Sequence, residues 1–172
     1  MFELVFYRYI IKFLIISALL FTAISAQAEP PANYPFTDYD RAIRAAKDSG
    51  RKIFVYYGRY GCGYCDKTNK ESFSNDQVRK LYTKNYELAY IDSEGGKRLR
   101  LPSGERIIEQ QFGPLNKIIG TPYFMYLETD GSIIFKVPGF KTANDFIQFD
   151  KYITGQHYKK QSFAEFARGS SS

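Results

Sequence analysis

Hydrophobic residues recur along the chain in short runs of different period, and each run predicts a different element. Phe13 to Ile24 is an apolar stretch without charge. Ala42, Ile43, Ala45 and Ala46 return at helical spacing and stop at Ser49-Gly50, which predicts a helix with a glycine end. Thr37 with Asp40 reads as its capping box. Ile53-Phe54-Val55-Tyr56-Tyr57 is β-branched and aromatic without alternation, the pattern of a strand buried on both faces. Ser74 with Gln77 opens a second predicted helix that runs to about Lys84, and Tyr86 to Ile91 is the next strand. Asp92 to Gly104 is Gly-rich and basic, a loop or small hairpin insertion. Glu105 to Phe112 has a helix-forming composition and stops at Gly113-Pro114. Tyr123–Leu127 and Ser132–Val137 are strands joined through Thr129-Asp130-Gly131, a hairpin signal. Thr142 to about Ile153 is a closing helix, Ser162 to Arg168 one more short turn, and the last residues to Ser172 are expected to fray. No internal repeat is visible. The order predicts a mixed sheet covered by helices on both faces.

The first apolar run has a second meaning. Arg8 and Lys12 precede it, and Ala26-Gln27-Ala28 follows with small residues where a signal peptidase would cut. Residues 1–28 therefore read as a secretory signal cleaved after Ala28, with an uncleaved membrane anchor as the alternative. Pro30, Pro31 and Pro35 make residues 29–36 a lead-in that cannot be helical. An exported chain meets an oxidising environment, where two cysteines become bridged or redox-active.

Composition narrows the picture further. The chain has 172 residues, 44% hydrophobic, 17% aromatic and 24% charged, which fits one globular domain and excludes collagen-like, low-complexity and wholly disordered classes. Two cysteines are too few for a disulfide-built scaffold. A net charge of +6 raises nucleic acid as a partner, but export and the lack of a base-reading motif count against it. Losing Arg8, Lys12 and Glu3 with the signal lowers that charge to +5. The densest basic patch is Lys97, Arg98, Arg100 and Arg106, read either as a solvated loop or as a docking surface for an acidic partner. The fifteen Tyr and fifteen Phe are assigned to core and sheet packing, and His157 to the surface of the tail.

The candidate chemistry is Cys62-Gly63-Tyr64-Cys65. Zinc would need four ligands, and the rest of the chain offers no cysteine and one histidine. An inert staple closing so short a loop would remove little chain entropy. A redox dithiol fits the context: the pair follows a predicted strand and opens a predicted helix, whose dipole and free amides favour the thiolate of Cys62. Cys65, one turn later, would attack the mixed disulfide that Cys62 forms.

Gly120-Thr121-Pro122-Tyr123-Phe124 places a proline at a strand start. With this proline and the CxxC at the first turn, the chain resembles the thioredoxin family from about Thr37 to Ile153. The resemblance implies an α/β, thioredoxin-like fold over residues 37–155, with a mixed central sheet flanked by helices, an insertion at about 92–104 before the proline strand, and a tail over 156–172. It implies a cis bond at Pro122, a substrate segment lying on Thr121 and Pro122, and contacts from Gly63 and Tyr64. Within the family, the Gly-Tyr pair and Thr121 look like the periplasmic disulfide isomerases, which carry an N-terminal dimerisation domain that Glu29 to Phe36 is too short to supply. The run Val55-Tyr56-Tyr57-Gly58 to Cys65, the insertion and the Tyr158…Ser162-Phe163 tail look more like the periplasmic thioredoxins of sulfur-oxidation gene clusters. One departure stands out: thioredoxins bury an acid in the strand before the site, and here Tyr56 stands near that place, leaving water or Glu71 as candidates to take the proton of Cys65. The implied activity is a periplasmic, monomeric thiol:disulfide oxidoreductase of the reductase type. It would act on exported proteins, need no cofactor or metal, and draw electrons from another thiol protein such as a membrane reductant. A disulfide isomerase or oxidant, or a binding module without turnover, is the alternative.

Overall fold

The computed structural model describes residues 30–169, so the expected signal segment lies outside the described residues. Helix α1 (Tyr39–Ser49) is capped by Asp38, whose carboxylate accepts the Arg41 N–H at 2.8 Å. The expected cap, Thr37, is used otherwise: its N–H donates to Leu88 O at 2.9 Å and its carbonyl accepts from Tyr90 at 3.0 Å. Two backbone bonds to a neighbouring strand outweigh a local side-chain cap at that position.

Strand β1 (Lys52–Gly58) lies inside a four-stranded sheet. It runs parallel to β2 (Tyr86–Asp92), from Lys52 opposite Tyr86 to Gly58 opposite Asp92. On its other side it runs antiparallel to β5 (Tyr123–Leu127), which pairs with β6 (Ile133–Pro138), giving the order β2-β1-β5-β6. Between β1 and β2 the chain forms α2 (Gly63–Thr68), a π-helical turn Asn69–Phe73, and α3 (Asp76–Asn85). The cap of α3 is Asn75, whose Oδ1 accepts from Gln77 and Val78, and not Ser74, whose hydroxyl donates back to Lys70 O at 2.6 Å.

The insertion is a two-stranded hairpin, β3 (Arg98–Arg100) and β4 (Arg106–Ile108), so it closes beyond Gly104. The helix expected from Glu105 begins only at Glu109: Arg106 to Ile108 pair with β3, and α4 (Glu109–Leu115) passes through Gly113-Pro114 before it ends. Helix α5 (Ala143–Thr154), capped by Thr142, closes the sheet, and α6 (Phe163–Gly169) follows a 3₁₀ turn at His157–Lys159. The tail is packed: the Phe163 ring sits 4.8 Å from Phe149, and the Tyr158 hydroxyl donates to Glu128 at 2.5 Å. His157 lies 4.6 Å from the Phe166 ring, half-buried instead of free on the surface.

The absence of polar alternation in β1 now has its reason. Ile53, Val55 and Tyr57 enter a layer with α1, the hairpin and α4, while Phe54 and Tyr56 enter a layer with the π turn, α3 and α5. The second layer is aromatic: Phe54 packs edge-on against Tyr82 at 4.8 Å and Phe146 edge-on against Phe124 at 5.0 Å, while Phe73 lies tilted on Phe146 at 4.8 Å. Such pairs contribute about 0.5–1.5 kcal/mol each beyond area burial.

Where β2 begins, this layer holds a buried polar group. Asp150 accepts from Asn85 Nδ2 at 2.9 Å, and burial pushes its carboxyl above the ordinary 3.8, against the opposing pull of Asn85 and Tyr86. The folded chain thus binds the Asp150 proton more tightly than the unfolded chain, so this group's contribution to stability falls as pH rises from 3.8 through the raised value. Asp150→Asn keeps an acceptor for Asn85 and removes the charge. Urea unfolding of both proteins between about pH 4 and 7 should show the variant gaining on the wild type as pH rises; parallel curves would contradict this assignment.

Candidate active site

The site forms where β1 runs out. Ser93 donates to the Gly58 carbonyl at 2.7 Å, holding the end of β1 to the segment after β2. The chain then turns at Gly61, whose φ of 67° suits a residue without Cβ, directly before Cys62. Cys62 is the N-cap of α2, and its carbonyl accepts from Cys65 N–H at 2.9 Å and Asp66 N–H at 3.1 Å. Cys62 and Cys65 are joined in a disulfide with their Cα atoms 5.2 Å apart.

The two sulfurs are not equivalent. Cys62 Sγ receives the Cys65 N–H at 3.1 Å and the Thr121 hydroxyl at 3.3 Å. Both donors, with the helix terminus, favour negative charge on that sulfur once the bond is opened. The cysteines are only 6% and 4% exposed, and a groove of about 620 Å³ opens onto Cys62 and not onto Cys65. Cys62, Gly63, Tyr64 and Thr121 line it, and Tyr64, Tyr60 and Ile119 stand exposed around the site. The Thr121–Pro122 peptide is cis. Pro122 is buried behind Thr121, and its carbonyl accepts from Gly139 at 2.9 Å. Of the four expected substrate-contacting residues, Gly63, Tyr64 and Thr121 are therefore on the groove and Pro122 supports it from beneath.

Tyr56 forms the floor. Its hydroxyl lies 3.4 Å from the Cys65 carbonyl and 3.3 Å from Asn69 Oδ1. Burial, reinforced by Tyr90 and Asp66, raises its pKa far above the ordinary 10.0, so it is a neutral phenol and a donor, not a base. Glu71 is exposed on the π turn. Arg59 also lines the groove, where its guanidinium lies 3.4 Å from the Glu94 carboxylate.

Sequence reasoning did not find Tyr57, Ser93, Gln110, Ile118 or Ile119 as groove residues. Tyr57 belongs to a run that reads as wholly buried, yet its hydroxyl reaches the Gly113 backbone and the Ser93 side chain. Among the described residues, no His, Cys, Asp and Glu side chains group as a metal site, and no helix is long and apolar enough to cross a membrane.

This fold, with a Cys pair at the first strand–helix turn, is that of the thioredoxin-like proteins. The family profile for the thioredoxin-like domain matches residues 39–154, and the chain belongs to that family. Among solved structures it is similar to a thioredoxin-fold protein from Helicobacter pylori, with a TM-score of 0.61, 14% identity, and 70% of this chain and 82% of that one covered. It is also similar to a thioredoxin from Thermus thermophilus (TM-score 0.57, 20% identity, 70% and 87% covered). The oxidised C-terminal domain of DsbD from Neisseria meningitidis gives a TM-score of 0.50 at 17% identity, with 63% and 86% covered. At these identities the likeness is one of fold. Among curated proteins none matches the chain in sequence.

The Thr121 hydroxyl gives the site a measurable handle. Thr121→Val removes a donor to Cys62 Sγ at nearly constant volume, and a hydrogen bond to a charged acceptor is worth roughly 1.5–3 kcal/mol. The reduced variant should be alkylated at Cys62 about tenfold more slowly at neutral pH, with its pH profile displaced upward. An unchanged profile would show that the hydroxyl does not act on the sulfur.

Proposed function

We propose that the protein is an exported thiol:disulfide oxidoreductase that works as a reductant of disulfides in other exported proteins. The observation that carries this reading is the unequal setting of the two sulfurs: Cys62 caps α2, takes two donors and lines the groove, while Cys65 lies behind it. In the dithiol state, the Cys62 thiolate attacks one sulfur of a substrate disulfide. An S–S bond to the substrate forms, the substrate's own S–S bond breaks, and its other sulfur leaves as a thiolate that takes up a proton. Cys65, giving up its proton, then attacks Cys62, releasing the second substrate thiol and forming the Cys62–Cys65 disulfide. Two electrons and two protons pass to the substrate. A second thiol protein, such as a membrane reductant, restores the dithiol, so no cofactor is required.

Export rests on the signal-like segment at residues 1–28, and the reductase direction on the resemblance to the sulfur-oxidation thioredoxins. The same chemistry at a higher potential would make an oxidant or isomerase. The reduction potential separates these readings: a reductant sits well below the oxidising end of the scale, and a value of about −120 mV would sink the proposal. Cys62→Ser should abolish reduction of an insulin-type disulfide without unfolding the chain. Activity that survives the change, or is absent from the wild type, points to a binding module without turnover. Cys65→Ser should accumulate mixed disulfides through Cys62, and mass spectrometry of the adducts would identify the substrate.

A further inference from the structure

We infer that the outward face of the β3–β4 hairpin is a docking surface for an acidic segment of the protein whose disulfide is reduced. This inference rests on the oxidoreductase reading above and assigns its substrate class. In the hairpin register Arg100 stands directly opposite Arg106, and Arg98 lies two residues along on the same face. All three are exposed, and Lys97 is exposed beside them. Like charges directly opposite on a strand pair destabilise it, so this pairing works against the fold that carries it.

No ion pair among the described residues neutralises these side chains. The ion pairs among the described residues are Arg41–Asp38, Arg51–Glu87, Lys52–Glu128, Arg59–Glu94 and Arg79–Asp76, none of them on the hairpin. Asp40 accepts the backbone N–H of Arg100 at 2.7 Å, buried Glu109 accepts that of Lys97 at 3.3 Å, and Glu105, exposed in the hairpin turn beside Arg106, forms no ion pair with it. The face is also held in place, which a merely solvated loop would not need. Leu99 and Ile107 point inward and are buried with Phe112, and the Asp40 bond ties β3 to the first turn of α1.

Its location joins it to the redox site. The hairpin leaves the sheet just after Asp92, which pairs with Gly58 at the end of β1 that leads to the cysteines. Ser93 and Glu94 before the hairpin, and Gln110 after it, line the same groove as Cys62 and Thr121. An acidic stretch seated on the arginines would hold its neighbouring disulfide over that groove. A fixed positive face raises the encounter rate of an oppositely charged partner, most strongly at low salt.

The test uses two synthetic peptides, each with one intramolecular disulfide, identical except that one carries an Asp/Glu flank and the other a Ser/Gln flank. The reduced wild-type protein should react with the acidic peptide about tenfold faster at low salt, and the advantage should vanish at high salt. The variant Arg98→Gln, Arg100→Gln, Arg106→Gln should reduce both peptides at the neutral peptide's rate. A wild type without preference, or a preference that survives in the variant, would overturn the inference. If the preference survives while binding to phosphatidylglycerol vesicles is lost, the face belongs to lipid and the inference falls as well. If neither peptide is reduced, the oxidoreductase reading has failed. Anisotropy of a cysteine-free acidic peptide then decides the docking face by itself: tighter binding to wild type than to the variant supports it, and equal binding overturns it. Arg106→Gln alone should melt no lower than wild type. A lower Tm would assign the guanidinium to the fold and count against docking.

Discussion

Strand β1 is buried along nearly its whole length, and a buried strand must have every backbone N–H and C=O paired. Here β2 supplies one side and β5 the other. That requirement places both halves of the site. The parallel pairing brings the end of β1 beside the end of β2, and the antiparallel pairing brings the start of β5 beside Tyr57. The cysteines follow β1 and Thr121 precedes β5, so the two segments meet at one edge of the sheet. The 3.3 Å contact between Thr121 and Cys62 is a consequence of sheet register more than of any local feature of either loop.

Below the cysteines the aromatic layer takes over the work of positioning. Tyr56 stacks on Phe73 at 5.8 Å, and Phe73 packs on Phe146, so the π turn that continues α2 is clamped between the sheet and α5. Ser72 adds a buried bond from its hydroxyl to Lys141 O at 2.5 Å, just before the α5 cap. A floor made of phenol and phenyl rings orients the helix without supplying a charge. The buried carboxylates, Glu109 and Asp150, sit at the hairpin root and where β2 begins, each engaged by its own partners. Charge control at this site is thus arranged from the Cys62 side, through amides and the Thr121 hydroxyl, and the Cys65 side is held by packing.

These relations explain which features could be read from the sequence. The strands, the closing helix and the pair Cys62–Cys65 are legible because their signals are local: period, β-branching, a Thr142 cap, a two-residue spacing. Thr37 and Ser74 carried equally good local signals, and each lost to a bond made elsewhere, to Leu88 and to Lys70. Glu105 to Ile108 has helical composition, yet three of these residues complete a ladder with Arg98 to Arg100. The groove was legible at Gly63, Tyr64 and Thr121, which lie in the motifs themselves. It was not legible at buried Tyr57 or exposed Ile119, because a place on the groove depends there on how the α4–β5 connection meets the end of β1, a separation no short window spans.

The arginine pair on the hairpin follows a different logic from everything beneath it. Leu99 and Ile107 obey the fold's demand for apolar burial, while their neighbours Arg98, Arg100 and Arg106 do nothing for the sheet and oppose the pairing of the strands that carry them. A hairpin so short is marginal without a packed face, and this one spends part of that margin on like charge. If the face were only solvated surface, Lys–Glu pairs would keep the chain equally soluble and support the strands. Under the docking proposal, the cost carried by the free protein would be recovered when an anionic partner sits down. On the proposed reading the events would be ordered: long-range attraction would act first at the hairpin, and short-range exchange at Cys62 would follow once a partner's disulfide reached a groove beside sulfurs that are almost covered.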